Sequence, residues 1–254
     1  MDKRGLQYSR LAFVAGESGV RQEISLGRSH PWRTFKCGNA RLARFIWDVE
    51  SHHRSAFVTR LLRADAESSR KLRSGRGFTR ANVKDFGGGD LRDMLAGVDA
   101  AIKKHPIDSA RLGVTGWSYG GFMTMWTVTQ TNRFRAAVAG AGIANWQSYY
   151  GQNLIDQWMI PFFGASVYDD PAVYEKSSPI HFITNVKTPT LVIVGERDAE
   201  CPASQSYEFW HALKTLGVPT QLIIYPGEGH LFIKPENQAD RMDKTVGWFD
   251  KYLR

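Results

Sequence analysis

The chain has 254 residues, 43% of them hydrophobic, and a formal net charge of +8. That length can bury a substantial core as one α/β unit. No apolar run of about 18 residues occurs and no apolar stretch follows the basic N-terminus, so neither a membrane span nor a signal peptide is expected.

Only two cysteines are present, Cys37 and Cys201. They make no disulfide framework, which fits a reducing, cytoplasmic compartment. The charge is uneven. Residues 1–76 hold 16 Lys and Arg against 7 Asp and Glu, whereas residues 77–254 hold 17 against 18. The basic residues are scattered, without helical periodicity or an aromatic platform, so no nucleic-acid partner is expected. No His, Cys or Asp cluster has metal-ligand spacing, so neither a metal nor another cofactor is expected.

In chain order, residues 1–75 form an atypical basic segment. It shows no strong strand, no clean helix and no buried apolar run, and reads as poorly ordered. From residue 76 the pattern changes. Gly87-Gly88-Gly89 lacks the lysine and the setting of a phosphate loop and reads as a helix-entry turn. Leu91, Met94, Leu95, Val98 and Ile102 then recur at helical spacing over 90–104, and Pro106 stops that helix. Residues 111–116 read as a strand and 119–131 as a helix. Residues 134–143 are apolar with little alternation, as in a strand buried on both faces.

An aromatic, irregular stretch runs from Asn145 to about Pro179. Thr188–Gly195 is another buried strand. Residues 202–216 read as a helix, 220–225 as a strand, and 237–253 as a closing helix. That last helix should turn Met242, Val246, Trp248, Phe249 and Leu253 to the core. Strands alternating with helices predict an α/β fold, a mostly parallel sheet with helices on both faces.

Gly116-Trp117-Ser118-Tyr119-Gly120 joins the strand 111–116 to the helix after it. That is Gly-x-Ser-x-Gly in a strand-turn-helix setting, the nucleophile elbow of the α/β-hydrolase fold. The turn is tight enough to exclude a Cβ at its flanks. A serine hydroxyl is a weak nucleophile near neutral pH and needs a base, which in turn needs an orienting carboxylate. In a parallel sheet such groups gather beyond the carboxyl ends of the strands.

Asp198 follows the strand ending at Gly195, and His230 follows the strand ending at Tyr225. The order Ser118, Asp198, His230 is that of an α/β-hydrolase. Ser118 is the expected nucleophile, His230 the base and then acid, and Asp198 the carboxylate that fixes the imidazole tautomer. The backbone N–H of Tyr119 is one expected oxyanion donor. Glu196 is the alternative carboxylate, and Asp198 could instead cap the next helix. Of the other histidines, His52 and His53 lie in the atypical segment, His105 sits in a turn and His211 in a helix. His181 precedes the last two strands. Trp117 reads as packing beneath the elbow. Trp146, Tyr149, Tyr150, Trp158, Phe162 and Phe163 either line an acyl pocket beside Ser118 or form an ordinary packed excursion.

From about Phe78 onward the sequence resembles the catalytic domain of the prolyl oligopeptidase family, in the branch of bacterial acylaminoacyl peptidases and dipeptidyl peptidases. The resemblance is carried by Ala81-Asn-Val-Lys-Asp-Phe-Gly-Gly-Gly-Asp90, by Gly113-Val-Thr-Gly-Trp-Ser-Tyr-Gly-Gly121, by Thr188-Pro-Thr-Leu191 with Gly195-Glu-Arg-Asp198, and by Tyr225-Pro-Gly-Glu-Gly-His230. It implies an α/β-hydrolase fold over residues 76–254 and a serine peptidase that cleaves short peptides or acylated and aminoacyl amides through an acyl-enzyme. The same side chains also suit a carboxylesterase, and a non-catalytic remnant is a third reading. A homo-oligomer is left open.

Three departures stand out. The family carries a β-propeller before the hydrolase domain, for which this chain has no room. The family's Asp-x-Arg-Val-Pro run is here Asp198-Ala-Glu-Cys-Pro202; Glu200 in place of arginine either favours a basic or free-amine substrate end or is simply solvated. Finally, the family's oxyanion motifs, His-Gly-Gly-Pro and later Asn-Pro-Arg-Gly-Ser, are missing from residues 20–75. Back-translation with a shift of one base restores them. His30-Pro-Trp-Arg-Thr-Phe-Lys-Cys37 can become Ile-His-Gly-Gly-Pro-Ser-Asn. Glu67-Ser-Ser-Arg-Lys-Leu-Arg73 can become Asn-Pro-Arg-Gly-Ser-Ser. Arg21-Gln-Glu-Ile-Ser-Leu26 can become Val-Lys-Lys-Tyr-Pro. All three use one direction and fall in family order, so a reading-frame slip is the expectation for this segment. Without its early strands the sheet would expose edges, and the oxyanion hole would lack a donor.

Overall fold

Thr190–Gly195 reads Thr-Leu-Val-Ile-Val-Gly, and every residue in it is buried. Such a run forms a strand covered on both faces rather than an alternating one. The computed structural model describes residues 13–14, 44–48, 81–105 and 107–254. In chain order the strands are β1 (Phe13–Val14), β2 (Arg44–Asp48), β3 (Leu112–Trp117), β4 (Ala136–Gly140), β5 (Thr190–Gly195) and β6 (Thr220–Tyr225). They form one sheet in the order β1-β2-β3-β4-β5-β6. The β1 strand pairs antiparallel to β2, and all later neighbours are parallel. The register sets Val114 opposite Ala137, Val138 opposite Leu191, and Gly195 opposite Tyr225. The carboxyl ends of β3, β5 and β6 therefore share one edge.

The longer helices are α1 (Gly89–Lys104), α2 (Tyr119–Gln130), α6 (Ala203–Thr215) and α7 (Pro235–Tyr252). Glycines enter α1 as a turn: Gly87 has φ +79°, and the Asp85 carboxylate accepts the Gly89 N–H at 2.9 Å. Asp90 lies in its first turn and Lys103 and Lys104 in its last, matching the helix dipole. It ends at His105, which is extended because the following Pro106 disfavours helix there. The α2 helix is buried on all sides from Tyr119 to Thr129. It is the central helix, and it can be apolar all round because no face meets water.

The stretch after β4 is not without structure. It holds three five-residue helices, α3 (Trp146–Tyr150), α4 (Met159–Phe163) and α5 (Pro171–Glu175), with 3-10 turns at Asp156–Trp158 and Pro179–Asn185. Asn145 and Asp170 cap α3 and α5 by accepting N–H groups of Gln147 and Val173. Gln205, wholly buried on α6, holds the stretch to that helix. Its Oε1 accepts the N–H groups of Ala144 and Asn145, and its Nε2 donates to Ser148 and Gln152.

Two sequence expectations change. Residues 44–48 do form a strand, because β3 offers an open edge whose backbone groups need partners. In α7, Trp248, Phe249 and Leu253 are buried, but Met242 and Val246 are 45% and 43% exposed. Apolar packing of the helix is confined to its last turns; nearer its start it meets the sheet through Asp240, which accepts the Tyr225 hydroxyl at 2.8 Å, and through Arg241 over Trp117. The motifs inferred for a shifted frame, and Cys37, lie outside the described residues.

Candidate active site

Ser118 stands between β3 and α2 with φ 61° and ψ −123°. A non-glycine residue with that backbone stores strain of order 1–3 kcal/mol. The flanking glycines explain how the turn closes. A Cβ on Gly116 would collide with the backbone of Gly120, and one on Gly121 with the carbonyl of Gly140. The Ser118 N–H donates to Gly140 O at 3.0 Å, and its own carbonyl accepts the first helical bond, from Phe122 N–H, at 3.0 Å. The Tyr119 N–H opens α2, at the positive end of that helix.

Beyond β5, the Asp198 side chain is fully buried. Its Oδ1 accepts the N–H groups of Glu200 at 3.0 Å and Cys201 at 2.8 Å. Its Oδ2 faces Nδ1 of His230 at 2.8 Å. Asp198 thus closes its own turn and not the next helix, whose N-cap is Pro202. Glu196, the alternative carboxylate, points elsewhere: it accepts the Gly227 N–H at 2.8 Å. His181 faces Glu175 at 3.6 Å on the surface.

The His230 loop is held from three sides. Glu196 N–H donates to Tyr225 O and Arg197 N–H to Glu228 O, stitching it to the Asp198 turn. Gly195 permits this approach, since a Cβ there would meet the carbonyls of Glu228 and Gly229. The indole N–H of Trp117 donates to His230 O at 3.0 Å, so the elbow itself braces the loop. Trp117 packs against Phe232, edge to face at 5.2 Å, and under the Arg241 guanidinium at 4.5 Å, which also lies 5.2 Å from the Phe232 ring. Finally, the wholly buried Glu228 accepts N–H groups of Ile233 and Lys234 and the Asn237 amide. Burial alone would raise its carboxyl; those donors outweigh it and hold the group below its ordinary value.

Neither Glu228 nor Gln205 was singled out from sequence. A glutamate two residues before a candidate histidine, in a glycine-rich loop, was the available sign for Glu228. Gln205 gave none, because its partners lie about 60 positions away.

The remaining candidates separate. Cys201 Sγ lies 4.0 Å from Ser118 Oγ, and burial, then Asp198, pushes its thiol up. It is a packing residue, not a competing nucleophile. Trp146 is 0% exposed, ringed by Phe86, Phe122, Tyr149, Trp158 and Phe163. The pocket expectation for Trp146 is corrected to core packing, since it offers no surface. Tyr149 is also buried; burial first, then Cys201, Asp198 and Glu200, pushes its hydroxyl up. Tyr150, Trp158 and Phe162 keep partial exposure. Glu200 reaches the other imidazole nitrogen, with Oε2 3.6 Å from His230 Nε2. Among the described residues, no group of three His, Cys, Asp or Glu side chains is placed to hold a metal.

A mostly parallel sheet with an elbow serine at one strand end and an Asp–His pair at two others defines an α/β-hydrolase fold. The chain belongs to the prolyl oligopeptidase family, whose family model matches residues 72–254. It is 40% identical over 184 residues to "Uncharacterized peptidase YuxL" of Bacillus subtilis, covering 70% of this chain and 28% of that protein. It is 34% identical over 176 residues to "Dipeptidyl-peptidase 5" of Porphyromonas gingivalis, covering 67% of this chain and 26% of that one. The acylaminoacyl peptidase of Pyrococcus horikoshii superposes with a TM-score of 0.66 at 31% identity, over 69% of this chain and 30% of that structure. The match thus spans less than a third of each relative's length.

Proposed function

We propose that residues 76–254 act as a serine peptidase unit that cleaves short peptides, or acylated and aminoacyl amides, through an acyl-enzyme on Ser118. The observation that carries this reading is the 2.8 Å Asp198–His230 contact on the strand-end edge that also bears the strained elbow serine. In the proposed mechanism the Ser118 hydroxyl attacks the scissile carbonyl carbon while His230 Nε2 takes its proton. Asp198 holds the imidazole with Nδ1 protonated and stabilises the cation that forms. The Tyr119 N–H, at the helix N-terminus, donates to the developing oxyanion. His230 then returns the proton to the leaving amine, and water repeats the sequence on the acyl-enzyme.

Tyr150 and Glu200 are the proposed substrate contacts, with Tyr149 behind them. The family relatives include a dipeptidyl peptidase and an acylaminoacyl peptidase, which supports an amide substrate over a simple ester. The test is hydrolysis of an aminoacyl anilide against that of an acyl ester, with fluorophosphonate labelling of the same sample. Ser118→Ala is expected to abolish labelling and both activities. Persistence of either activity in that variant refutes the assignment, and a stronger preference for the ester selects a carboxylesterase.

A further inference from the structure

The Asp198–Pro202 turn brings one more ionisable group to the site. The Glu200 backbone is fixed, because its N–H donates to Asp198 Oδ1. Its neighbour Ala199 accepts the Leu154 N–H at 3.0 Å, so the turn is braced from the aromatic side as well. The Glu200 carboxylate lies 3.6 Å from His230 Nε2, yet its side chain is 48% exposed, against 11% for the imidazole. Nδ1 is taken by Asp198, so Nε2 is the nitrogen left to serve Ser118 and the leaving group. Glu200 therefore stands at the mouth of the site, one side to the proton-carrying nitrogen and the other to water. Among the described residues no lysine or arginine pairs with it.

A substrate cannot react here without meeting that carboxylate. Its carbonyl carbon must lie against Ser118 Oγ and its leaving nitrogen within reach of His230 Nε2, so atoms one or two bonds from the carbonyl pass within a few ångströms of Glu200. A half-exposed carboxylate beside an imidazole attracts a cation and repels an anion. We propose that Glu200 is a specificity-determining residue that selects substrates carrying an ammonium group beside the scissile carbonyl. The inference rests on the acyl-transfer reading above. Two sources supply that chemistry: the free α-amine of an N-terminal residue, two bonds from the carbonyl, or a lysine side chain reaching back along the cleft. The negative charge of Asp198 behind Glu200 adds to the same field.

Binding to the Ser118→Ala protein, which leaves ligands uncut, tests this by calorimetry. The ligands are alanyl anilide, N-acetylalanyl anilide and Nα-acetyl-lysyl anilide, each with and without an added Glu200→Gln. An ammonium ligand is expected to bind about tenfold more tightly than N-acetylalanyl anilide, the size of one charge-assisted hydrogen bond, and Glu200→Gln should bring that ratio close to one. A gain on the alanyl arm assigns the α-amine; a gain on the lysyl arm assigns the side chain. Equal affinities for all three ligands, binding of none, or a preference that survives Glu200→Gln overturns the proposal. Failure of the underlying reading is seen separately, as wild-type hydrolysis that Ser118→Ala leaves unchanged.

Discussion

At Ser118 the backbone holds φ 61° and ψ −123°, a conformation that glycine adopts freely and alanine does not. Ser118→Gly and Ser118→Ala should both lose activity, but only the glycine variant relieves strain. Its melting temperature is expected to rise by about 2–4 °C, with no rise for alanine, read by calorimetry. Glu228 makes a pH prediction. Its folded carboxyl is held below 4.5, so its contribution to stability is complete above that value and is lost as pH falls through the lowered one. Glu228→Gln cannot titrate. The variant should melt below the wild type at neutral pH, and the gap should close in acid; a gap independent of pH contradicts the assignment. Ser118 was legible because the elbow is a local motif. Glu228 was not, because its donors arrive from the start of the next helix.

Among the elements, β3, α2 and the His230 loop work as one piece, joined by the Trp117 indole. Trp117→Phe keeps most of the packing against Phe232 and Arg241 but removes the bond to the His230 carbonyl. The expected result is a kcat lowered by roughly 3–10-fold, one net hydrogen bond of about 1 kcal/mol, with KM little changed. A changed KM with the same kcat would place Trp117 in substrate binding instead. Outside 145–185, element types from residue 89 onward were legible because short continuous apolar runs mark strands buried on both faces, whereas helical spacing marks the amphipathic helices. The region 145–185 was not, because its short helices depend on caps and on Gln205, 20 or more positions downstream. Met242 and Val246 mark the same limit: a helical stripe gives the face but not how far along it the apolar packing extends.

For the whole molecule, the basic first third sets the open question. Residues 1–75 should carry the second oxyanion donor if the family's motifs are encoded one base away. Sequencing the gene is expected to show codons that spell Ile-His-Gly-Gly-Pro and Asn-Pro-Arg-Gly-Ser in the shifted frame. The product of the corrected frame should then hydrolyse an aminoacyl anilide roughly 100–1,000-fold faster than this chain, the usual worth of one oxyanion donor. Codons that spell neither motif, or equal rates from the two products, remove the explanation.

The linear sequence was enough to determine the alternation of strands and helices, the elbow around Ser118 and the Ser-Asp-His order, because each depends on neighbours a few residues apart or on the polarity of parallel strands. Tertiary structure alone decided that Asp198 and not Glu196 meets His230, that Trp146 is core, and that Glu200 reaches Nε2. Those outcomes depend on how separate loops approach one another at the sheet edge, and a contact across 30 or more residues leaves no periodic trace in the chain that makes it.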